Sequence, residues 1–142
     1  MAGAAAALVL LPVVAACGHG PSYCDTVHDD QSELGSIVSR NDGTALIRAL
    51  PIFRDLRDNA PDDVADDWGL VVTRIGALDD ALTAAHVDPA TYDPKHPPAG
   101  LGADDRTAIR RAAAQLAAAD TQDALDRVQQ EVLDVCHTPL EL

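Results

Sequence analysis

Six apolar residues, Val64, Trp68, Val71, Ile75, Leu78 and Leu82, follow one another at alternating spacings of four and three. Residues three and four apart share one face of an α-helix. An average strand is only about 5–6 residues long, too short to carry this pattern. The stripe predicts a helix over about 61–86. Pro61 suits its first position, where the missing N–H is not needed. Asp62 and Asp63 lie at its start, where the helix dipole favours anions. A helix so one-sided must bury its stripe against other elements, and the rest of the chain supplies only more helices.

The first helix is expected over about 22–39, with Cys24, Val27, Gln31, Leu34 and Val38 on one face and Asn41-Asp42-Gly43 ending it. A second over about 44–58 is opened by Thr44 and turns Leu46, Leu50 and Phe53 inward. Pro51 lies inside it and removes a backbone donor, which predicts a kink or a split. A fourth, over about 103–118, faces Ile109, Ala112, Ala113 and Leu116 inward. A fifth is capped by Asp120 or Thr121 and carries Leu125, Val128, Val132 and Val135 up to Cys136, with Pro139 beyond. Alternating β-branched runs are absent. The expected fold class is all-α, a bundle of about five amphipathic helices. Between helices three and four the sequence VDPATYDPKHPPAGLG, with four prolines and two glycines, excludes a helix. The aromatic residues number four (Tyr23, Phe53, Trp68 and Tyr92), so the core must be largely aliphatic, with Trp68 buried in it.

Met1 to Cys17 reads MAGAAAALVLLPVVAAC, an uncharged apolar run ending in two small residues and a cysteine. A membrane-spanning helix needs roughly 20 residues, so this run is too short to span and suits the apolar region of a secretory signal. Its end resembles a bacterial lipobox, which implies lipidation at Cys17. The expected division is a signal peptide over 1–16, a lipidated tether over 17–21 and one helical domain over 22–142. A signal normally opens with Lys or Arg, and none precedes Arg40. Either the true start lies upstream or the signal is atypical; the first is preferred. Plain secretion and an unexported chain with a greasy N-terminus are the alternatives.

Cys24 and Cys136 remain, more than 110 residues apart. In an oxidising compartment such a pair becomes a disulfide, here stapling the first helix to the last. A metal or redox site is the competing reading, though no C-x-x-C is present. The net charge of -13 falls entirely outside residues 1–16, which carry no ionisable side chain. Such a field repels nucleic acid and anionic headgroups, so no nucleic-acid partner is expected. Among the cations Arg outnumbers Lys nine to one, and Ala is abundant, which points to a high-GC bacterial source.

No G-x-S-x-G, H-E-x-x-H or phosphate-binding glycine loop occurs, and an enzyme is not expected. No cofactor is expected either. His28 lies one helical turn after Cys24, and His137 adjoins Cys136, so the disulfide brings both imidazoles to one end of the bundle. There they serve as solvent-facing neighbours of a structural bond or as ligands for zinc or copper. The proline-rich loop offers Tyr92, Lys95 and His96, either as a binding segment or as a strap that plugs Tyr92 and Leu101 into the core. The pairs Asp62/Asp66 and Asp63/Asp67 repel at i,i+4, but no EF-hand spacing supports calcium between them.

The segments YCDTV (23–27), LPIFRDLRDNAPDDVADDW (50–68), DPATYDPKHPPAGL (88–101) and DVCHTPL (134–140) together resemble small secreted lipoproteins of actinobacteria, with one cysteine near each end of an all-helical domain. The resemblance implies export, a helical fold and Cys24–Cys136 pairing, and implies no activity. The expected protein is held to the outer face of the cell membrane through Cys17. It is a non-catalytic binding or adaptor module with an envelope protein as partner, or else a carrier or sensor of a small ligand or metal ion. An apolar internal cavity of some hundreds of Å³ marks a carrier. An exposed apolar patch or an ordered protruding loop marks an adaptor.

Overall fold

The computed structural model describes residues 22–40 and 42–140, so the signal segment and Cys17 lie outside the described residues. Five helices follow in order: α1 (Tyr23–Val38), α2 (Ala45–Asn59), α3 (Ala65–Ala84), α4 (Ala103–Leu116) and α5 (Ala119–Cys136). No strand occurs among the described residues. None of the described helices is long and apolar enough to cross a membrane.

Helices α1, α2, α3 and α5 close a ring, since α1 packs on α2, α2 on α3, α3 on α5 and α5 on α1. Inside the ring lie the largest fully buried side chains, Trp68 and Phe53, surrounded by Leu34, Leu50, Leu56 and Ile75. The rings of Phe53 and Trp68 meet at 5.7 Å between centroids, tilted by 43°. The Trp68 indole N–H donates to the Tyr23 hydroxyl at 2.8 Å, which satisfies the polar atom that burial of an indole brings inside. Burial also pushes the Tyr23 phenol above its ordinary range. One residue on, Cys24 is bonded to Cys136 with their Cα atoms 5.2 Å apart. This disulfide ties the first and last helices of the ring together.

The arrangement is thus a four-helix bundle with α4 appended to it. α4 packs mainly on α3 and buries only Ile109 and Ala112, as its alanine-rich sequence allows. Leu82, Leu101 and Ile109 form a second small core under the proline-rich segment.

Local rules set most helix ends. Ser22 and Asp25 form a capping box at α1: Asp25 N–H donates to Ser22 Oγ at 3.2 Å and Ser22 N–H to Asp25 Oδ2 at 3.0 Å. α3 begins at Ala65 rather than at Pro61, because the Val64 N–H closes a separate turn onto the Pro61 carbonyl at 3.1 Å. It ends in a Schellman motif: Val87 N–H reaches the Leu82 carbonyl at 2.9 Å and His86 N–H the Thr83 carbonyl at 3.0 Å. His86 accordingly holds φ at 55°.

α2 runs unbroken through Pro51, which lies on the exposed face while Leu50, Ile52 and Phe53 anchor the helix on both sides of it. Ala118, not Asp120 or Thr121, is the N-cap of α5; the Thr121 hydroxyl is buried and donates to the Gln115 carbonyl at 3.0 Å. Three residues expected inward are exposed. Val38 gives way to Ile37 at the end of α1. Ala113 faces the proline-rich segment, not the bundle. Val135 is 51% exposed. The disulfide turns Cys136 inward, and the residue before it points about 100° away around the helix.

Candidate functional site

Asp88-Pro89 and Asp93-Pro94 each start a turn in the segment between α3 and α4. Proline presets φ at the second position, and the aspartate side chain caps the backbone of the turn. Both devices are present twice. Thr91 N–H donates to the Asp88 carbonyl at 3.1 Å and Ala90 N–H to Asp88 Oδ1 at 2.9 Å. His96 N–H donates to the Asp93 carbonyl at 3.1 Å and Lys95 N–H to Asp93 Oδ1 at 2.8 Å. A third turn, Leu101 N–H onto the Pro98 carbonyl at 3.0 Å, drops Leu101 into the second core. Three successive turns therefore make an ordered strap without secondary structure.

Beneath the strap lies a cavity of about 330 Å³. Its floor is Leu82 and Ile109, both buried, with the half-buried Ile47 and Leu78 beside them. Pro89, Pro94 and Pro97 of the strap form its roof, and Tyr92 closes one side. Arg106 and Arg110 stand at the rim on α4, one turn apart, with Ala113 a further turn along. Among the described residues no carboxylate lines this cavity. On the far side of Tyr92 a second hollow, of about 440 Å³, carries Asp88 and Asp105 instead.

The strap residues singled out from the sequence divide. Tyr92 is half-buried and belongs to the cavity wall, and its hydroxyl makes no hydrogen bond among the described residues. Lys95 and His96 are exposed and do not line the cavity. His96 Nδ1 lies 2.7 Å from Asp93 Oδ2, and this contact holds the Asp93 carboxyl below its usual range. The Asp93 side chain is thereby a turn-former, satisfied from two sides.

At the other end, His28 Nε2 lies 2.7 Å from the Thr138 hydroxyl. Both His28 and His137 are exposed, and among the described residues no group of three His, Cys, Asp or Glu is placed to hold a metal ion. The structure does not gather a donor set around His28 and His137. His137 instead ends α5 in the left-handed region, with φ at 54° and its N–H on the Leu133 carbonyl. The Asp62/Asp66 pair remains exposed, whereas Asp67 is held by both nitrogens of the Arg127 fork, at 2.6 and 2.8 Å.

Sequence reading did not single out Arg106 or Arg110. The available signal was two arginines at i,i+4 on a helix whose sole acids sit N-terminal to them. Comparison with protein-family models, with curated proteins and with solved structures returned no match.

Proposed function

We propose that this chain is a lipid-anchored protein of the outer face of the cytoplasmic membrane, and that its helical domain is a non-catalytic carrier of a small apolar ligand. One observation carries the choice of carrier over adaptor. The cavity under the strap is walled by aliphatic side chains and proline rings, and its volume of about 330 Å³ falls at the lower end of the roughly 300–1,000 Å³ typical of ligand pockets. An adaptor would present a continuous apolar surface or a protruding loop, whereas the strap lies against the bundle, with Leu101 in the second core and Tyr92 packed on it. The large apolar side chains exposed among the described residues, Val38, Leu133 and Val135, instead lie at the ends of two helices.

The location rests on the lipobox-like run ending at Cys17 and on the cysteine arithmetic. Cys24 and Cys136 are consumed by a disulfide, which belongs to an oxidising compartment. That leaves Cys17 for the lipid, as the resemblance implies. A strongly acidic domain on such a tether is kept off an anionic bilayer by its own field.

Two measurements test the reading. Cys17→Ser should release the protein from membranes or block its processing; unchanged fractionation with the membrane removes the anchor. For the carrier, protein purified from its own membranes should retain an apolar small molecule detectable by native mass spectrometry. Ala113→Trp places a ring in the cavity from an exposed rim position and should abolish that retention without unfolding the domain. Retention unchanged in Ala113→Trp removes the cavity as the binding site.

A further inference from the structure

The charge at the cavity mouth is opposite to that of the molecule. The chain carries 23 acidic residues against 10 lysines and arginines. Among the described residues four of the nine arginines are ion-paired, Arg48 with Asp42, Arg57 with Asp58, Arg74 with Asp120 and Arg127 with Asp67, and Arg40, Arg54 and Arg111 are unpaired but do not line the cavity. Arg106 and Arg110 make no ion pair among the described residues, although Asp104 and Asp105 precede them on the same helix. Among the described residues the sole side-chain hydrogen bond of either is a long one, Arg110 Nη2 to Thr107 Oγ1 at 3.4 Å. Like charges one turn apart on a helix repel. An acidic chain has thus set two guanidiniums one turn apart at the mouth of an apolar cavity that, among the described residues, no carboxylate lines.

We infer that the cavity takes an amphiphilic monoanion, an alkyl carboxylate whose chain lies on Leu82 and Ile109 and whose head is held between Arg106 and Arg110. This rests on the carrier reading and names the ligand class. The guanidinium fork matches a carboxylate with two parallel charge-assisted hydrogen bonds. Tyr92 also lines the cavity, and its hydroxyl, which makes no hydrogen bond among the described residues, offers a further donor. At about 330 Å³ the cavity lies near the lower end of the ligand-pocket range, which suits a medium-length chain better than a long one. The net charge of -13 favours one negative charge over two, because a dianion entering the same field is repelled more strongly.

The test is calorimetric titration of the full chain carrying Cys17→Ser, purified without detergent, with decanoate, decyl phosphate and decanol. Decanoate should bind at least tenfold more tightly than decanol, and added salt should weaken decanoate binding while leaving decanol binding unweakened. In Arg106→Gln/Arg110→Gln, decanoate affinity should fall at least tenfold, while decanol affinity, which reports an intact cavity, stays as in the parent. Decanol binding as tightly as decanoate, or the double variant holding decanoate as the parent does, overturns the inference and leaves the carrier reading standing. Tighter binding of decyl phosphate than of decanoate overturns the carboxylate assignment. Binding of none of the three, by protein whose helical signal melts cooperatively, overturns the inference and the carrier reading together.

Discussion

Trp68→Ala tests the main core and the disulfide at once. Trp68 is fully buried, and its ring meets Phe53 at 5.7 Å. Deleting a buried aromatic costs about 3–5 kcal/mol. The upper end applies here, because an aromatic pair worth about 0.5–1.5 kcal/mol goes with it and the Tyr23 hydroxyl loses its donor. The Cys24–Cys136 bond spans 112 residues, for which the chain-entropy relation gives about 4.8 kcal/mol. The two losses together come to about 10 kcal/mol, within the 5–15 kcal/mol that typically holds a domain folded. Trp68→Ala should therefore fold with the disulfide present and fail to fold in the background Cys24→Ala/Cys136→Ala. Urea titration followed by far-ultraviolet circular dichroism measures both, since the variant has lost the sole tryptophan as a fluorescent probe. A loss within about 0.5 kcal/mol for oxidised Trp68→Ala, the range of surface substitutions, would refute the central role of the indole.

Tyr23→Phe leaves the buried Trp68 N–H without an acceptor and should cost about 1–3 kcal/mol; Tyr23→Phe/Trp68→Phe, which removes both partners, should cost less than the sum of its parts in the same titration. The Asp67 carboxyl is held below its ordinary range, chiefly by its hydrogen bonds with Arg127. Its contribution is present above the unfolded carboxylate range and is lost as pH falls through the lowered folded value, so Arg127→Ala should flatten the acid limb of a melting-temperature profile. Asp30 is shifted the opposite way, by burial and then by Asp55, Glu33 and Asp29. Its ionised form opposes folding at neutral pH and is relieved as pH falls through the raised value; Asp30→Asn should raise the neutral melting temperature and leave the acidic one unchanged.

Much of the fold was legible because helical periodicity is local. The stripe from Val64 to Leu82 names the buried face of α3, and Trp68 lies where it predicts, fully buried. Capping is local too, and Ser22 with Asp25 starts α1 by contacts three residues apart. Errors came where a local rule met a competing contact. Pro61 suits a helix start, but its carbonyl is taken by a closed turn. Helical spacing alone turns Val135 inward, but the disulfide claims that direction for Cys136. The strap's turns were encoded by two Asp-Pro pairs, whereas its course over the bundle was not.

The sequence by itself determined five amphipathic helices, an irregular segment between the third and fourth, a strongly acidic surface and a cysteine near each end of the helical domain. Each follows from residue spacing or composition within a few turns of chain. Tertiary structure alone decided that four helices ring the core and α4 stands outside it, and that the second core leaves room beneath the strap. It also decided that Arg106, Arg110 and Tyr92 line that room together. These are contacts between segments far apart in the chain. Their positions depend on how side-chain volumes fill the space between helices, which no local pattern records.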